Sequence, residues 1–461
     1  MTTPLMSMTG LAFIVLLFST PLAGQEVEQV PLKGGKFLEV MIFRPTASDL
    51  TPTTALPLML ALSPGGQDAR MARVAADMIA KPAVKRGYIV AVPIKRNKLF
   101  YQGGEKDLPA LFDWLEEQQT IDRSRSIVMG ISNGGRSAMK VMSLWPDRFG
   151  GVATSPGLMA REDKTKGLKG KAVWMRVGKS DSKGWRTGSK STAERLEKAG
   201  CLVSHEVVPG GHVIPVKTDE ALDFLESKIL GFRRVEIKST DGVVVIGELY
   251  ETGDKKKPTI LFCHQANSSR GEYRTVASRL KAAGYNGLAI DQRSGQGNSA
   301  TSNFIKNETA AAFKKAGGKA DYLAAQPDIE AAYDWLNKEG FSGKRALWGS
   351  SYSASLAIVI GSERKDLDAI LCFSPGEYLG SPDLVSKAAA AVSSPILIVA
   401  PESERKSAGP IFESLPADLD KKFLINSDIL HGTRTLFATP PEEQKALWKE
   451  VESFLKKSLG S

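Results

Sequence analysis

The order of predicted secondary-structure elements is repeated along the chain, and this repeat limits the fold more than any other sequence feature. In each pass, short apolar strands alternate with helical stretches, and one strand breaks into a turn of small residues around a serine. The first pass runs from Leu56 to Leu230 and the second begins at Phe232. Such alternation is typical of βαβ units and a mostly parallel sheet. We therefore expect two tandem α/β domains that meet near Gly231.

The two passes differ in detail. The second is predicted to open with two antiparallel strands at 235–238 and 243–250, around an Asp-Gly turn. It also contains a polar segment, rich in Ala and Lys, at 301–327. This segment is predicted to be either a small helical cap over a site or a plain surface excursion. The predicted division is 1–24 for a leader, 25–231 for the first domain and 232–461 for the second.

The N-terminal segment carries the longest apolar run, residues 11–18, which is too short to span a bilayer core of about 30 Å. Small residues follow it at positions 19–20 and 23–24, as in a cleavable signal peptide. We expect export to the periplasm or the medium, with no stable membrane insertion after cleavage. The net charge of +10 is spread among acidic residues without an aromatic-interleaved basic stripe, so nucleic acid is not an expected partner.

The first candidate nucleophile is Ser132. It stands in the sequence GISNG at 130–134, between a predicted strand and a predicted helix. Small residues two positions on either side of a serine are needed when the serine occupies a strained strand-to-helix turn.

The chain has three cysteines and four histidines in 461 residues, which are too few to favour a metal site or a disulfide framework. We therefore expect nucleophilic catalysis without a metal or organic cofactor.

A serine nucleophile needs an imidazole base and a carboxylate that orients the imidazole. Asp181 follows the predicted strand 172–177, and His212 follows the next strand, within PGGH at 209–212. The order Ser132, Asp181, His212 is that of a nucleophile-elbow fold. The predicted oxyanion donors are the amide of Asn133 and an amide of the SPGG turn, from Gly65 or Gly66.

These motifs carry a family resemblance across residues 55–215. LSPGG, GISNGG, PDRFGGVATSPG, VGKSD and PGGH resemble an α/β-hydrolase of the dienelactone hydrolase, polyhydroxybutyrate depolymerase and feruloyl esterase group. The resemblance implies ester hydrolysis with Ser132, Asp181 and His212 as the triad. One departure is Ser63-Pro64 where a His-Gly pair is usual.

The second half resembles the same superfamily at its own elbow, GSSYS at 349–353. Ser351 is the predicted nucleophile because the residues two positions away, Gly349 and Ser353, are both small. The strand 259–263 runs into His264-Gln265, where Gln265 replaces the usual glycine. The resemblance implies an oxyanion pair formed by the amides of Gln265 and Tyr352.

Three carboxylates are candidates for the acid that would orient the histidine in the second half. Register with the usual pattern favours Glu404, and Glu402 and Asp428 compete with it. His431, after the last predicted strand, is the expected base, and His205 is expected to be structural.

The predicted function is an exported serine esterase that forms an acyl-enzyme on small-molecule or polymeric esters. The alternatives are a serine peptidase, or one active esterase domain joined to an inactive binding domain.

Overall fold

The computed structural model describes residues 25–47, 50, 54–295, 297 and 299–460. The predicted signal segment 1–24 lies outside these residues. Within the described part of the chain, no helix combines the length and the apolar character needed to cross a membrane.

The first half of the chain forms one eight-stranded sheet with the order β1-β2-β4-β3-β5-β6-β7-β8. Its strands are β1 (Gln25–Leu32), β2 (Lys36–Phe43), β3 (Leu58–Leu62), β4 (Ile89–Pro93), β5 (Ile127–Gly130), β6 (Gly151–Thr154), β7 (Ala172–Gly178) and β8 (Leu202–Val208). Strands β3 to β8 run parallel to one another, and β2 pairs antiparallel with both β1 and β4. Among the residues of this half that the structure describes, six α-helices flank the sheet: α1 (Ala69–Ala75), α2 (Lys81–Lys85), α3 (Leu108–Gln118), α4 (Asn133–Leu144), α5 (Lys183–Lys198) and α6 (Thr218–Leu230). A π-helical turn, Ala76–Ala80, joins α1 to α2.

The β1–β2 hairpin was not predicted from the sequence, which placed the first strand at 56–62. Its turn contains Gly34 and Gly35, both with positive φ, at 78° and 68°. Two consecutive positive φ angles allow the tight turn that matches the twist of a hairpin. The first half therefore opens with an antiparallel pair, as the second half was predicted to do.

The second half repeats this architecture with the order β16-β15-β14-β13-β11-β12-β10-β9. Its strands are β9 (Arg233–Lys238), β10 (Val244–Tyr250), β11 (Thr259–Cys263), β12 (Asn286–Ile290), β13 (Arg345–Ser350), β14 (Ala369–Phe373), β15 (Ile396–Pro401) and β16 (Lys421–Asn426). Its helices are α7 (Arg274–Ala282), α8 (Glu308–Lys315), α9 (Gln326–Lys338), α10 (Tyr352–Glu363), α11 (Leu384–Ala389), α12 (Arg405–Ser414), α13 (Thr435–Ala438) and α14 (Pro441–Leu459).

Burial explains why these segments form central strands. Every residue of β3, β5, β11 and β13 is buried, as expected for parallel strands covered by helices on both faces. The predicted fold class, two mostly parallel sheets flanked by helices, is confirmed. The boundary near Gly231 falls between α6 and β9 and stays a prediction about domain organisation.

A turn from the second half packs against the first half. Phe304 is 7% exposed and belongs to the apolar cluster of the first sheet, together with Ala300. The Arg125 guanidinium donates to the Asn303 side chain at 2.8 Å. Part of the predicted cap segment thus forms an interface with the first half.

A buried ion-pair network also joins the halves. Glu226, on α6, accepts hydrogen bonds from Arg274 of the second half at 2.8 Å and from Arg86 of the first half at 3.3 Å. Arg274 additionally donates to Glu248 at 2.6 Å. Buried charges are tolerated when they are paired in this way, and removing one partner is costly.

Candidate active site

Ser132 occupies a strained turn between β5 and α4. Its φ of 55° and ψ of −116° place a non-glycine residue in a sparsely populated region. A Cβ at Gly130 would lie 2.0 Å from the Gly134 carbonyl oxygen, and one at Gly134 would lie 1.9 Å from the Leu62 carbonyl oxygen. Glycine is therefore required at both positions for helix α4 to approach the sheet this closely.

The structure brings together the three residues predicted for the first triad. The Oγ atom of Ser132 lies 2.7 Å from Nε2 of His212. The other ring nitrogen, Nδ1, lies 3.1 and 3.0 Å from the two carboxylate oxygens of Asp181. This is an unbroken hydrogen-bonded chain from hydroxyl to imidazole to carboxylate, the geometry that activates a serine.

The carboxylate of Asp181 is held in place while the histidine stays accessible. Asp181 accepts a hydrogen bond from the Ser182 amide at 2.6 Å, and its side chain is 1% exposed. The His212 side chain is 39% exposed, and the Trp185 ring packs against it with a centroid separation of 4.8 Å. A buried acid and an exposed base suit a site that must orient the imidazole yet admit a substrate.

The predicted oxyanion residues of the first half lie on a common cleft. Asn133, Gly65 and Gly66 line a cavity of ≈ 560 Å³, which Lys95 and Lys98 also line. Among the described residues, the backbone amides of Asn133, Gly65 and Gly66 have no acceptor. The Asn133 side chain donates to the Gly65 carbonyl oxygen at 2.9 Å and so ties the two loops together. Unengaged amides at this position can donate to a developing oxyanion.

The second elbow repeats the backbone of the first but not its packing. Ser351, between β13 and α10, has a φ of 56° and a ψ of −124°. Where the first elbow has Gly134, the second has Ser353, whose hydroxyl donates to the His264 carbonyl oxygen at 2.6 Å. A Cβ is therefore accommodated at position 353, whereas one at position 134 would clash with the Leu62 carbonyl oxygen.

Of the three candidate acids, Glu404 is the one that contacts the histidine. Its Oε1 lies 2.6 Å from Nδ1 of His431. Glu402 is exposed and pairs with Arg405, and Asp428 is exposed. Burial disfavours the Glu404 carboxylate, but hydrogen bonding from His431 and Ser374 outweighs it, so the pKa of Glu404 is lowered.

The second nucleophile is not engaged by its base. Within the described part of the chain, no hydrogen bond joins Ser351 Oγ to His431, although the same hydrogen bond is present in the first half. The acid–histidine pair is thus assembled, and the serine–histidine link is missing.

One predicted oxyanion donor of the second half already donates to another acceptor. The Gln265 amide donates to the Oε2 atom of Glu272 at 2.9 Å. The structure corrects the predicted pair on this point, since an amide that is held by a carboxylate is not available to an oxyanion. Among the described residues, the amides of Ala266 and Tyr352 have no acceptor, so they are the available pair.

Glu272 was missed by sequence reasoning. It is fully buried, and burial raises its pKa to about 7, although the Gln265 amide and the hydroxyls of Ser350 and Ser268 act in the opposite direction. Glu272 lies in RGEY, eight residues after His264, and this position matches no motif. Its effect on the oxyanion loop comes from its burial beneath that loop, which the sequence does not show.

The remaining two histidines lie outside both candidate triads. His264 is buried; its Nδ1 lies 2.8 Å from the Gln265 carbonyl oxygen, its Nε2 accepts from the Gln292 amide at 3.0 Å, and burial lowers its pKa. His205 lies on β8, 3.0 Å from the Ser189 hydroxyl, and its pKa is lowered by burial.

The 301–327 segment contains α8 and then reaches the second elbow. The ring of Tyr322 stacks on that of Tyr352, with centroids 4.4 Å apart and an interplanar angle of 19°. Tyr352 is the residue after Ser351, so part of this segment contacts the elbow, and its role as a cap stays a prediction. Within the described residues, no group of three or more His, Cys, Asp or Glu side chains is placed to hold a metal ion.

Two family models match the chain. The model described as serine aminopeptidase, S33, matches residues 254–412, and that of the prolyl oligopeptidase family matches residues 98–200. A search of the curated proteins gave no match.

Among solved structures, the chain is similar to an esterase of Pyrococcus furiosus, Pf2001, with 21% identity, a TM-score of 0.40, and coverage of 51% of this chain and 96% of that one. A dienelactone hydrolase from Anabaena variabilis gives 22% identity, a TM-score of 0.40, and coverage of 50% and 98%. An acylaminoacyl peptidase of Pyrococcus horikoshii gives 16% identity, a TM-score of 0.38, and coverage of 50% and 42%. The two sheets, each with a serine at a strand-to-helix elbow, and the two family models identify the chain as a member of the α/β-hydrolase superfamily.

Proposed function

We propose that this protein is a carboxylic ester hydrolase whose working nucleophile is Ser132. One observation carries the proposal: the continuous hydrogen-bonded chain from Ser132 Oγ through His212 to Asp181. The second half is assigned a weaker role because its serine lacks the corresponding contact.

The proposed reaction has two steps. Ser132 Oγ attacks the ester carbonyl carbon while His212 Nε2 takes its proton, and the negative oxygen receives hydrogen bonds from Asn133 and from Gly65 or Gly66. His212 then protonates the leaving alcohol, which gives the acyl-enzyme. A water molecule, deprotonated by His212, attacks the acyl carbon and releases the acid and free Ser132.

A fluorophosphonate probe tests this assignment on the full chain. We expect mass spectrometry to find the phosphonate on Ser132, labelling to be lost in Ser132→Ala, and labelling to persist in the matched control Ser351→Ala. A label found on Ser351 alone, or an undiminished rate of ester hydrolysis in Ser132→Ala, would contradict the proposal.

A panel of substrates separates an esterase from a peptidase. A peptidase is the main enzymatic alternative because both matching family models are described as peptidase families. A serine peptidase also cleaves activated esters, so the p-nitroanilides decide: we expect p-nitrophenyl esters to be hydrolysed and p-nitroanilides of amino acids and short peptides not to be. Measurable hydrolysis of the p-nitroanilides would favour the peptidase.

A second candidate role, an inactive binding domain, applies to the second half. It is favoured by the hydrogen bond from the Gln265 amide to Glu272 and, among the described residues, by the absence of a hydrogen bond between Ser351 and His431. Export, through the segment 1–24, is part of the proposal, and N-terminal sequencing of the mature protein from its native host tests it.

A further inference from the structure

A cavity of ≈ 770 Å³ lies in the second half beside the elbow. Ala266 and Asn267, which follow the oxyanion loop, form part of its wall, and Tyr322 forms another part. Tyr322 is also the residue that stacks on Tyr352. The cavity is therefore close to the second elbow, through Tyr352, and its volume suits a small ligand.

Positive charge dominates the lining. Four exposed lysines contribute to it, and no aspartate or glutamate does; the lysines are Lys306, Lys314, Lys315 and Lys319. Within the described part of the chain, none of the four has a carboxylate within 4.0 Å of its ammonium group. The fifth cation, Arg293, is already neutralised, because it is buried and paired with Asp328 and Asp241.

The lysines are not all explained by local structure. Lys314 and Lys315 lie in the last turn of α8, where a cation interacts favourably with the helix dipole. Lys306 and Lys319 lie outside the helix and gain no such stabilisation. Like charges that converge on a concave surface repel one another, and they attract counter-ions of the opposite sign. An anion that binds among the lysines relieves this electrostatic repulsion.

We propose that this cavity, near the second elbow, binds a small ligand that carries two or more carboxylate or phosphate groups. The number of unpaired lysines calls for more than one negative charge, and the concave shape favours a compact ligand over an extended polymer. The inference goes beyond the proposed ester hydrolysis at Ser132 and does not depend on it.

Isothermal titration calorimetry of the full chain at low ionic strength tests the proposal, with tricarballylate and tripolyphosphate as probes and the uncharged triamide of tricarballylate as control. We expect at least one anion to bind, the triamide not to bind, and added salt to weaken the binding. Preference for one anion identifies the charged group. Absence of binding by both anions would overturn the proposal.

A charge-matched pair of variants locates the site. Lys314→Gln/Lys319→Gln removes two charges from the cavity, and Lys445→Gln/Lys449→Gln removes two exposed charges from α14. We expect the first to weaken binding by about 10-fold or more and the second by less than about 2-fold. Equal losses, or tighter binding of a single-stranded oligonucleotide than of both small anions, would contradict the proposal. Ester hydrolysis at Ser132 should be unchanged in both variants, which separates this result from a failure of the proposed function.

Discussion

The two elbows have nearly the same backbone, yet only the first presents a connected nucleophile. Ser132 and Ser351 differ by 1° in φ and by 8° in ψ, from 55° and −116° to 56° and −124°. The differences lie around them: Gly134 is replaced by Ser353, and the amide of the second oxyanion loop is bound by Glu272. The comparison teaches that an elbow fixes the direction of a serine, while its neighbouring loops decide whether the serine meets a base and free amides.

The largest expected effect comes from the acid of the first site. Asp181→Asn should lower kcat by about 10³- to 10⁴-fold with little change in KM, because an amide does not stabilise the imidazolium and can favour the wrong tautomer. Steady-state kinetics with a p-nitrophenyl ester measures this. A loss below about 10-fold would show that the first site is not the source of activity.

A smaller effect is expected from Glu272, on stability instead of rate. Its folded pKa of about 7 exceeds the value of 4.5 for an ordinary glutamate, so the folded state holds the proton more tightly between these pH values. Stability conferred by the protonated form is complete below about pH 4.5 and is lost as pH rises to about 7. At pH 8, Glu272→Gln should therefore be more stable than the wild type by up to about 3 kcal/mol, and at pH 4.5 the difference should vanish.

Denaturant unfolding at several pH values between 4.5 and 8 measures this difference. Glu413→Gln, at an exposed position, is the matched control and should change stability equally at all of them. If the two variants behave alike, Glu272 is ionised in both folded and unfolded states and does not titrate as expected.

The packing difference between the elbows gives the third prediction. Gly134→Ala places a methyl group against the Leu62 carbonyl oxygen and should destabilise the fold by about 1–3 kcal/mol. Ser353→Ala keeps the existing Cβ and loses only hydrogen bonds, so about 1 kcal/mol is expected. Melting temperatures of the two variants compare them, and an equal decrease would mean that a Cβ at position 134 is tolerated better than the contact with Leu62 indicates.

The smallest effect is expected at the acid of the second site. Glu404→Gln should leave total ester hydrolysis within about 2-fold of the wild type, because Ser351 is not hydrogen-bonded to His431. Glu402→Gln serves as the control. A large loss from Glu404→Gln alone, on any ester, would assign that substrate to the second site.

The sequence predicted the parts of the sites that depend on chain order. Ser132, Asp181 and His212 each follow a parallel strand, and the carboxyl ends of such strands meet at one edge of the sheet, so their convergence could be expected. In the second half, register with the family pattern favoured Glu404 but left Glu402 and Asp428 open, and the contact with His431 distinguishes them.

The sequence did not predict contacts that depend on packing. Glu272 follows no motif, and its effect on Gln265 comes from burial beneath a loop. The β1–β2 hairpin was missed although its Gly-Gly turn is a hairpin signal between alternating residues. The stacking of Tyr322 on Tyr352 joins residues 30 positions apart that no periodic pattern relates.

The ion pairs around Glu226 limit how the halves can be studied. A cut at Gly231 would deprive Arg274 of one carboxylate, and it would expose Phe304 and the apolar surface that Phe304 covers. Each fragment would then be prone to aggregate for reasons unrelated to catalysis. Loss of activity after such a dissection would therefore measure broken packing, and point substitutions in the intact chain are the sound way to apportion activity between the two serines.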